Sequence, residues 1–181
     1  KLWTGEKVSH DGRFWSFGET SQSPPPLTSG GPPIWIGGRS DAARKRAALL
    51  GDGWVSYLFT AKRFAKGIAQ LDQWAKEAGR ALDIEGGGWT AAHHAFIYLD
   101  DDEARALRTG TEYLTRRYNM NFEDIAEKYL IHGPPGRCAE QLAEFVEAGA
   151  SHFILRTVGE PETDLEQMTR LAEEVVPKVK E

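Results

Sequence analysis

Residues 32 to 54 read PPIWIGGRSDAARKRAALLGDGW. Their order predicts a buried strand, a glycine turn, a helix, a glycine stop and a second buried strand. Pro32 and Pro33 forbid helix and deliver the chain extended. Ile34, Trp35 and Ile36 form an apolar run without alternation, as in a strand covered on both faces. Gly37 and Gly38 let the backbone turn sharply and lie close to a ligand. Ser40 suits the N-cap of the next helix, and Gly51 suits its stop. A strand that ends in glycines and feeds a helix N-terminus offers free backbone N–H groups and a positive dipole end to an anion such as phosphate.

Outward from this stretch the same grammar repeats. Upstream, residues 6 to 17 alternate around His10-Asp11-Gly12, a hairpin signal, and residues 18 to 33 read as an irregular Ser/Pro/Gly loop. Downstream, Gly53 to Ser56 reads as strand. Thr60 caps a helix in which Phe64, Ile68, Leu71, Trp74 and Ala78 recur at helical spacing, with Gly79 as its stop. Residues 91–99 read as strand, 102–117 as helix, 119–136 as a short helix plus a Gly-Pro-Pro-Gly turn, and 137–148 as helix. A strand over 152–158 and a helix over 163–180 complete the chain. Strand then helix recurs four times, which predicts parallel strands with helices outside; a doubly wound sheet and a barrel both fit that pattern.

Composition sets bounds. The chain has 181 residues, 40% of them apolar and 27% charged, with net charge −5. That suits one folded domain, excludes a disordered class and argues against nucleic acid, which wants a basic face. No apolar run is long enough to span a membrane. The lone Cys138 excludes an internal disulfide and a cysteine metal cluster, and reads as a small helix residue in a cytoplasmic protein. Six tryptophans suit flavin stacking, core packing or subunit contact.

In parallel α/β proteins ligands sit at the C-terminal ends of the strands. Four places qualify. Gly37, Gly38, Arg39 and Ser40 read as a phosphate loop or as a tight turn with a capped helix. Ser56-Tyr57, just past the second strand, has hydroxyls for the same phosphate or for a pocket wall. His93-His94 lie early in a strand, on opposite faces, and read as structural. Arg156, inside an apolar strand beside Thr157, needs a partner: a flavin phosphate, a substrate anion or a carboxylate such as Glu160. The adjacent Asp100, Asp101 and Asp102 read as helix capping, since they lack the alternate spacing of a calcium loop. No triad, P-loop, metal spacing or paired carboxylates are present, and no residue stands out as a general acid or base.

The set PPIWIGG, RAA, GDGW resembles the luciferase-like flavin-dependent oxidoreductases, deazaflavin-dependent members included. Other segments agree in order. LWTGEKVSHDGRFWSF is similar to that family's β-hairpin insertion, WAKEAGR to its helix after strand six, FIYLDDDEARA to strand seven, and HGPPGRCAEQLAEFVEAGASHFILR to the closing helix-strand unit.

The resemblance implies a (β/α)8 TIM barrel of which this chain is the C-terminal half, strands five to eight. Residues 1–33 would be the hairpin insertion and loop, and 34–181 four strand-helix units. A full barrel needs about 250 residues, and nothing at Lys1 resembles a native start, so a fragment or a natural half-barrel with a partner is expected. The implied function is that of an oxidoreductase or monooxygenase acting on a small-molecule substrate. The implied cofactor is FMN or an F420-type deazaflavin, with NAD(P)H as an electron donor. Cofactor-binding residues would be Gly37, Gly38, Arg39, Ser40, Ser56 and Arg156, with catalytic groups supplied by the first four strands. A homo-oligomer in the cytoplasm is expected, with no nucleic acid and no membrane. A non-catalytic half-barrel scaffold that kept the phosphate loop is the alternative.

Overall fold

A computed structural model describes residues 1–179 as two compact units, Lys1–Ile34 and the part that begins at Trp35. The first unit holds an antiparallel hairpin of β1 (Val8–Asp11) and β2 (Ser16–Thr20), joined by a four-residue loop rather than a tight Asp-Gly turn. Asp11 pairs with Ser16, and the Gly12 N–H donates to the Trp15 carbonyl at 3.0 Å. The Asp-Gly signal therefore marks the hairpin and misplaces its turn. The aromatic Phe14 and Trp15 extend the loop and lie exposed.

The second unit is built on a five-stranded parallel sheet. Its strands are β3 (Trp35–Gly37), β4 (Gly53–Tyr57), β5 (Thr90–Leu99), β6 (Leu130–Gly133) and β7 (His152–Thr157). The long β5 is the axis. β4 runs beside its residues 90–94, β6 beside 96–99, and β7 beside 92–97. Because β7 overlaps both others, β4 and β6 share the opposite edge of β5. The strands expected near 34–37, 54–56, 92–99 and 152–157 are all present in one parallel sheet; β6 was not expected. Four residues before a Pro-Pro pair look like loop, yet Gly133 (φ +111°) turns the chain so that α5 (Pro135–Glu147) starts at Pro135. Proline is tolerated there because the first helical N–H has no intrahelical partner.

Pleating sorts the side chains. Trp54, Ser56, Ala91, His93, Ala95, Ile97, Leu99, Phe153 and Leu155 share one face. On it pack α1 (Asp41–Leu50), α2 (Ala61–Glu77), α5 and the C-terminal helical segment of α6 (Asp164–Arg170), a π-helical turn (Leu171–Val175) and α7 (Val176–Val179). Residue 180 of the expected last helix lies outside the described residues.

α3 (Glu103–Tyr118) departs from the expectation of helices on one side only. Leu114 of α3, with Phe122 of the following loop and Ala126 of α4 (Ala126–Tyr129), packs on Phe96 and Leu130 of the other face, near the C-terminal ends of the strands. Gly110 makes this approach possible: a Cβ there would sit 2.2 Å from Leu130 Cδ2. An apolar stripe says that a helix packs but not on which face.

Asp102 caps α3 by accepting the Arg105 N–H at 3.0 Å, Asp100 pairs with the Arg105 guanidinium, and Asp101 pairs with Arg170 at 3.2 Å. The aspartate triplet is thus committed to capping and ion pairs. Among the described residues no group of His, Cys, Asp or Glu is arranged to hold a metal, and no helix is long and apolar enough to cross a membrane.

Candidate functional site

The loop after β3 is held by β4. The Gly38 N–H donates to the Val55 carbonyl at 3.3 Å, and the Gly38 carbonyl accepts from Trp54 Nε1 at 2.9 Å. With φ at +139°, Gly38 takes a conformation that L side chains rarely adopt, and a Cβ there would sit 2.6 Å from Ala43 Cβ. The Gly38 N–H is therefore spent inside the chain. The donors left for an anion are the amides of the first turn of α1, where Ser40 caps by accepting the Ala43 N–H at 3.3 Å. In front of Gly37 a Cβ would meet nothing within 4 Å. Asp41, a negative charge on this first turn, is neutralised by Arg44 at 2.6 Å. Arg39 lies against the rings of Tyr57 and Phe59, 5.7 and 6.0 Å from their centroids. The cradle fits a phosphate: open space, first-turn N–H groups and an arginine at its edge.

Ser56 stands elsewhere. It is fully buried on the helix-covered face, its hydroxyl 2.7 Å from His93 Nδ1 and 3.4 Å from the Ala92 carbonyl. The expectation that it reaches a cofactor is corrected: the pleat turns Ser56 inward, and its neighbour Tyr57 shares the face of Arg39. His93 is structural, as expected, stacked on Phe145 at 4.0 Å. Burial, then the charge of His94, lowers its pKa to about 3 from an ordinary 6.5.

The unfolded chain thus binds the extra proton between these two values. Stability is full above about pH 6.5 and falls by about 1.4 kcal/mol per pH unit on acidification toward pH 3. A His93→Phe variant keeps the stack and should flatten the melting-temperature profile from pH 6.5 down to the carboxylate range. An unchanged slope there would assign the sensitivity to another group.

The second polar feature lies on the face opposite His93. Tyr57 pairs across the sheet with His94, and Phe96 with Arg156. Arg156 Nε donates to the Tyr113 hydroxyl at 3.4 Å, and Glu160, one of the three partners open to it from the sequence, instead binds Arg116 at 2.8 Å. Tyr113, Arg116, Arg117, Arg156, Glu160 and Asp164 line a cleft of about 450 Å³. Residues 37–40 do not line it. His94 is held below its usual pKa by burial first and then by the charges of Arg117 and Arg156. Cys138 is inert: burial pushes its thiol up to about 12.

Three contributors went unread in the sequence. Trp54 reads there as a core residue, and its bond to Gly38 is tertiary. Tyr113 and Arg117 are four apart on α3, a spacing that marks one helix face; what that face meets is not local information.

A parallel α/β unit with a glycine loop feeding a helix and an arginine-lined cleft, both at the C-terminal ends of strands, has the build of a ligand-binding α/β protein. The chain belongs to the luciferase-like monooxygenase family, whose model matches residues 1–152.

The chain is 23% identical to an F420-dependent glucose-6-phosphate dehydrogenase of Microbacterium testaceum, covering 99% of this chain and 57% of that protein. It is 25% identical to a 5,10-methylenetetrahydromethanopterin reductase of Methanopyrus kandleri, covering 98% of this chain and 49% of that one. The chain therefore spans about half the length of the curated relatives it matches. Among solved structures, an F420-dependent secondary alcohol dehydrogenase in complex with an F420-acetone adduct superposes with TM-score 0.76 at 17% identity, covering 99% of this chain and 58% of that one. The FMN-bound oxygenating constituent of 3,6-diketocamphane monooxygenase from Pseudomonas putida gives 0.69 at 18% identity, covering 98% and 60%. These likenesses show the fold.

Proposed function

We propose that this chain is the C-terminal half of a (β/α)8-barrel oxidoreductase, with β3, β4, β5 and β7 as strands five to eight, the short β6 as an addition beside β5, and the hairpin at its N-terminal end as an insertion. It holds the phosphate of FMN or of an F420-type deazaflavin. The observation that carries this is the loop after β3: Gly37 opens onto free space, Gly38 is pinned by Val55 and Trp54, and the first-turn amides of α1 have no intrahelical acceptor. The relatives' F420 and FMN dependence supports the cofactor class.

The flavin, when bound, supplies hydride or oxygen chemistry to a small-molecule substrate, with NAD(P)H as electron donor where FMN is used. The chain's own part is to bind and orient. Gly37 and the first-turn amides of α1 meet the phosphate, Arg39 adds charge, and Tyr57 walls the face toward His94. The apolar groove beside β7 supports a homo-oligomer or a partner half. A single buried thiol suits a reducing cytoplasm.

An absorbance spectrum of the purified full protein tests the reading: a flavin or deazaflavin band is expected, the two differing in wavelength. A protein with no visible band, and none after incubation with FMN or deazaflavin, leaves the scaffold alternative. Arg39→Ala should weaken cofactor binding by about 1.5–3 kcal/mol, the worth of a charge-assisted bond. Affinity unchanged within about twofold, well under that bond's worth, would make Arg39 a stacking residue only. Gly38→Val is a poor probe, since its φ and the contact with Ala43 make the substitution cost stability as well.

A further inference from the structure

We infer that Arg117 and Arg156 grip an oxyanion group of the substrate, so that the substrate class is a small organic acid bearing a carboxylate, sulfonate or phosphate. The inference deepens the oxidoreductase reading and rests on it only for the word substrate.

The cleft is lined by three guanidinium groups and two carboxylates. Both carboxylates are engaged: Glu160 with Arg116 at 2.8 Å, and Asp164, which also acts on Arg156 through space, with the Thr157 hydroxyl at 2.8 Å. The one hydrogen bond of Arg156 is a long one to a neutral phenol, and Arg117 makes no ion pair or hydrogen bond among the described residues. Two under-used guanidinium groups beside one cavity repel each other, in a chain whose net charge is −5. A bound oxyanion relieves this, and a guanidinium fork matches its geometry bidentately.

Arg156 projects from β7, near its C-terminal end, on the face it shares with Tyr57 and His94. A strand holds a side chain more rigidly than a loop. The volume of about 450 Å³ suits a small ligand. His94 shares this setting: burial first, and then the charges of both arginines, lower its pKa.

The test follows the His94 imidazole by NMR in the full protein while inorganic phosphate or sulfate is added, with chloride at equal ionic strength as control. Phosphate and sulfate should raise the His94 pKa toward its ordinary value; chloride should not. Arg117→Gln, an exposed and unpaired position whose loss leaves the fold intact, should weaken the phosphate effect about tenfold or more. Arg156→Gln should do the same, and Arg117→Lys should lie between, keeping charge without the fork.

Flavin binding is measured in parallel by fluorescence. Flavin that binds while phosphate leaves His94 unmoved overturns the subsite and spares the cofactor reading. A phosphate effect without flavin binding spares the subsite and overturns the cofactor reading. A phosphate effect abolished by bound FMN assigns the arginines to the cofactor and overturns the substrate class.

Discussion

Produced by itself, the 181-residue chain will sediment as a dimer or larger particle and will bind a hydrophobic dye. β7 pairs with β5 on one side only, so its other edge carries unpaired backbone groups. Beside that edge runs a groove of about 650 Å³ lined by Leu142, Val146, Phe153, Leu155, Val176 and Val179. On the face not covered by α1, α2 and α5, Ile154 is 39% exposed next to His152 and Arg156. A bare strand edge joined to an apolar groove is what another chain or another half of the same barrel would cover, and monomers seldom leave such a surface open. Co-expression with the first four strand-helix units of a family relative should suppress dye binding and bring the particle to a single size. A compact monomer that ignores the dye would overturn the half-barrel reading in favour of a complete doubly wound domain.

The second large effect is expected at Trp54. Its side chain is fully buried, stacked on Phe64 at 5.4 Å and edge-on to Phe59 at 5.5 Å, and Gly67 lets α2 lie against its ring. Trp54→Ala removes that ring from a closed space and should cost about 3–5 kcal/mol of stability. The same residue holds the Gly38 carbonyl. Trp54→Phe separates the two roles: it keeps most of the packing and loses the one hydrogen bond, about 1 kcal/mol. Because that bond fixes the loop after β3, proposed above to hold the cofactor phosphate, the Phe variant should lose cofactor affinity out of proportion to its small loss of stability. Denaturant melts and cofactor titrations of the two variants check this. Equal affinity in Trp54→Phe and the parent protein would free the loop from dependence on Trp54.

The expectations that held were those that local chemistry carries. Proline before an apolar triplet, glycine after it and serine before a helix specify a strand-turn-helix unit whatever surrounds it, and β3, the loop and α1 stand where residues 32–54 put them. The same holds for Thr60 at the start of α2 and for the aspartates at the start of α3. Those that failed needed a partner in space. Ser56 lies in a strand whose pleat has no visible sign until β5 and its helices are in place, and a shift of one residue turns a side chain from one face to the other. β6 is too short to show a period. Whether the stripe of α3 meets the outer or the other face depends on what β6 leaves open.

Sequence alone thus determined most of the element types, their parallel order and the glycine turn that feeds α1, because backbone preference and capping act within a few residues. Tertiary structure decided which of those groups are free. It spent the Gly38 amide on Val55, sealed Ser56 against His93, and gave Glu160 to Arg116, leaving Arg117 and Arg156 together beside an open cleft. A hydrogen bond or an ion pair forms with whatever the fold brings within about 3 Å, and that is settled by packing between segments far apart in the chain.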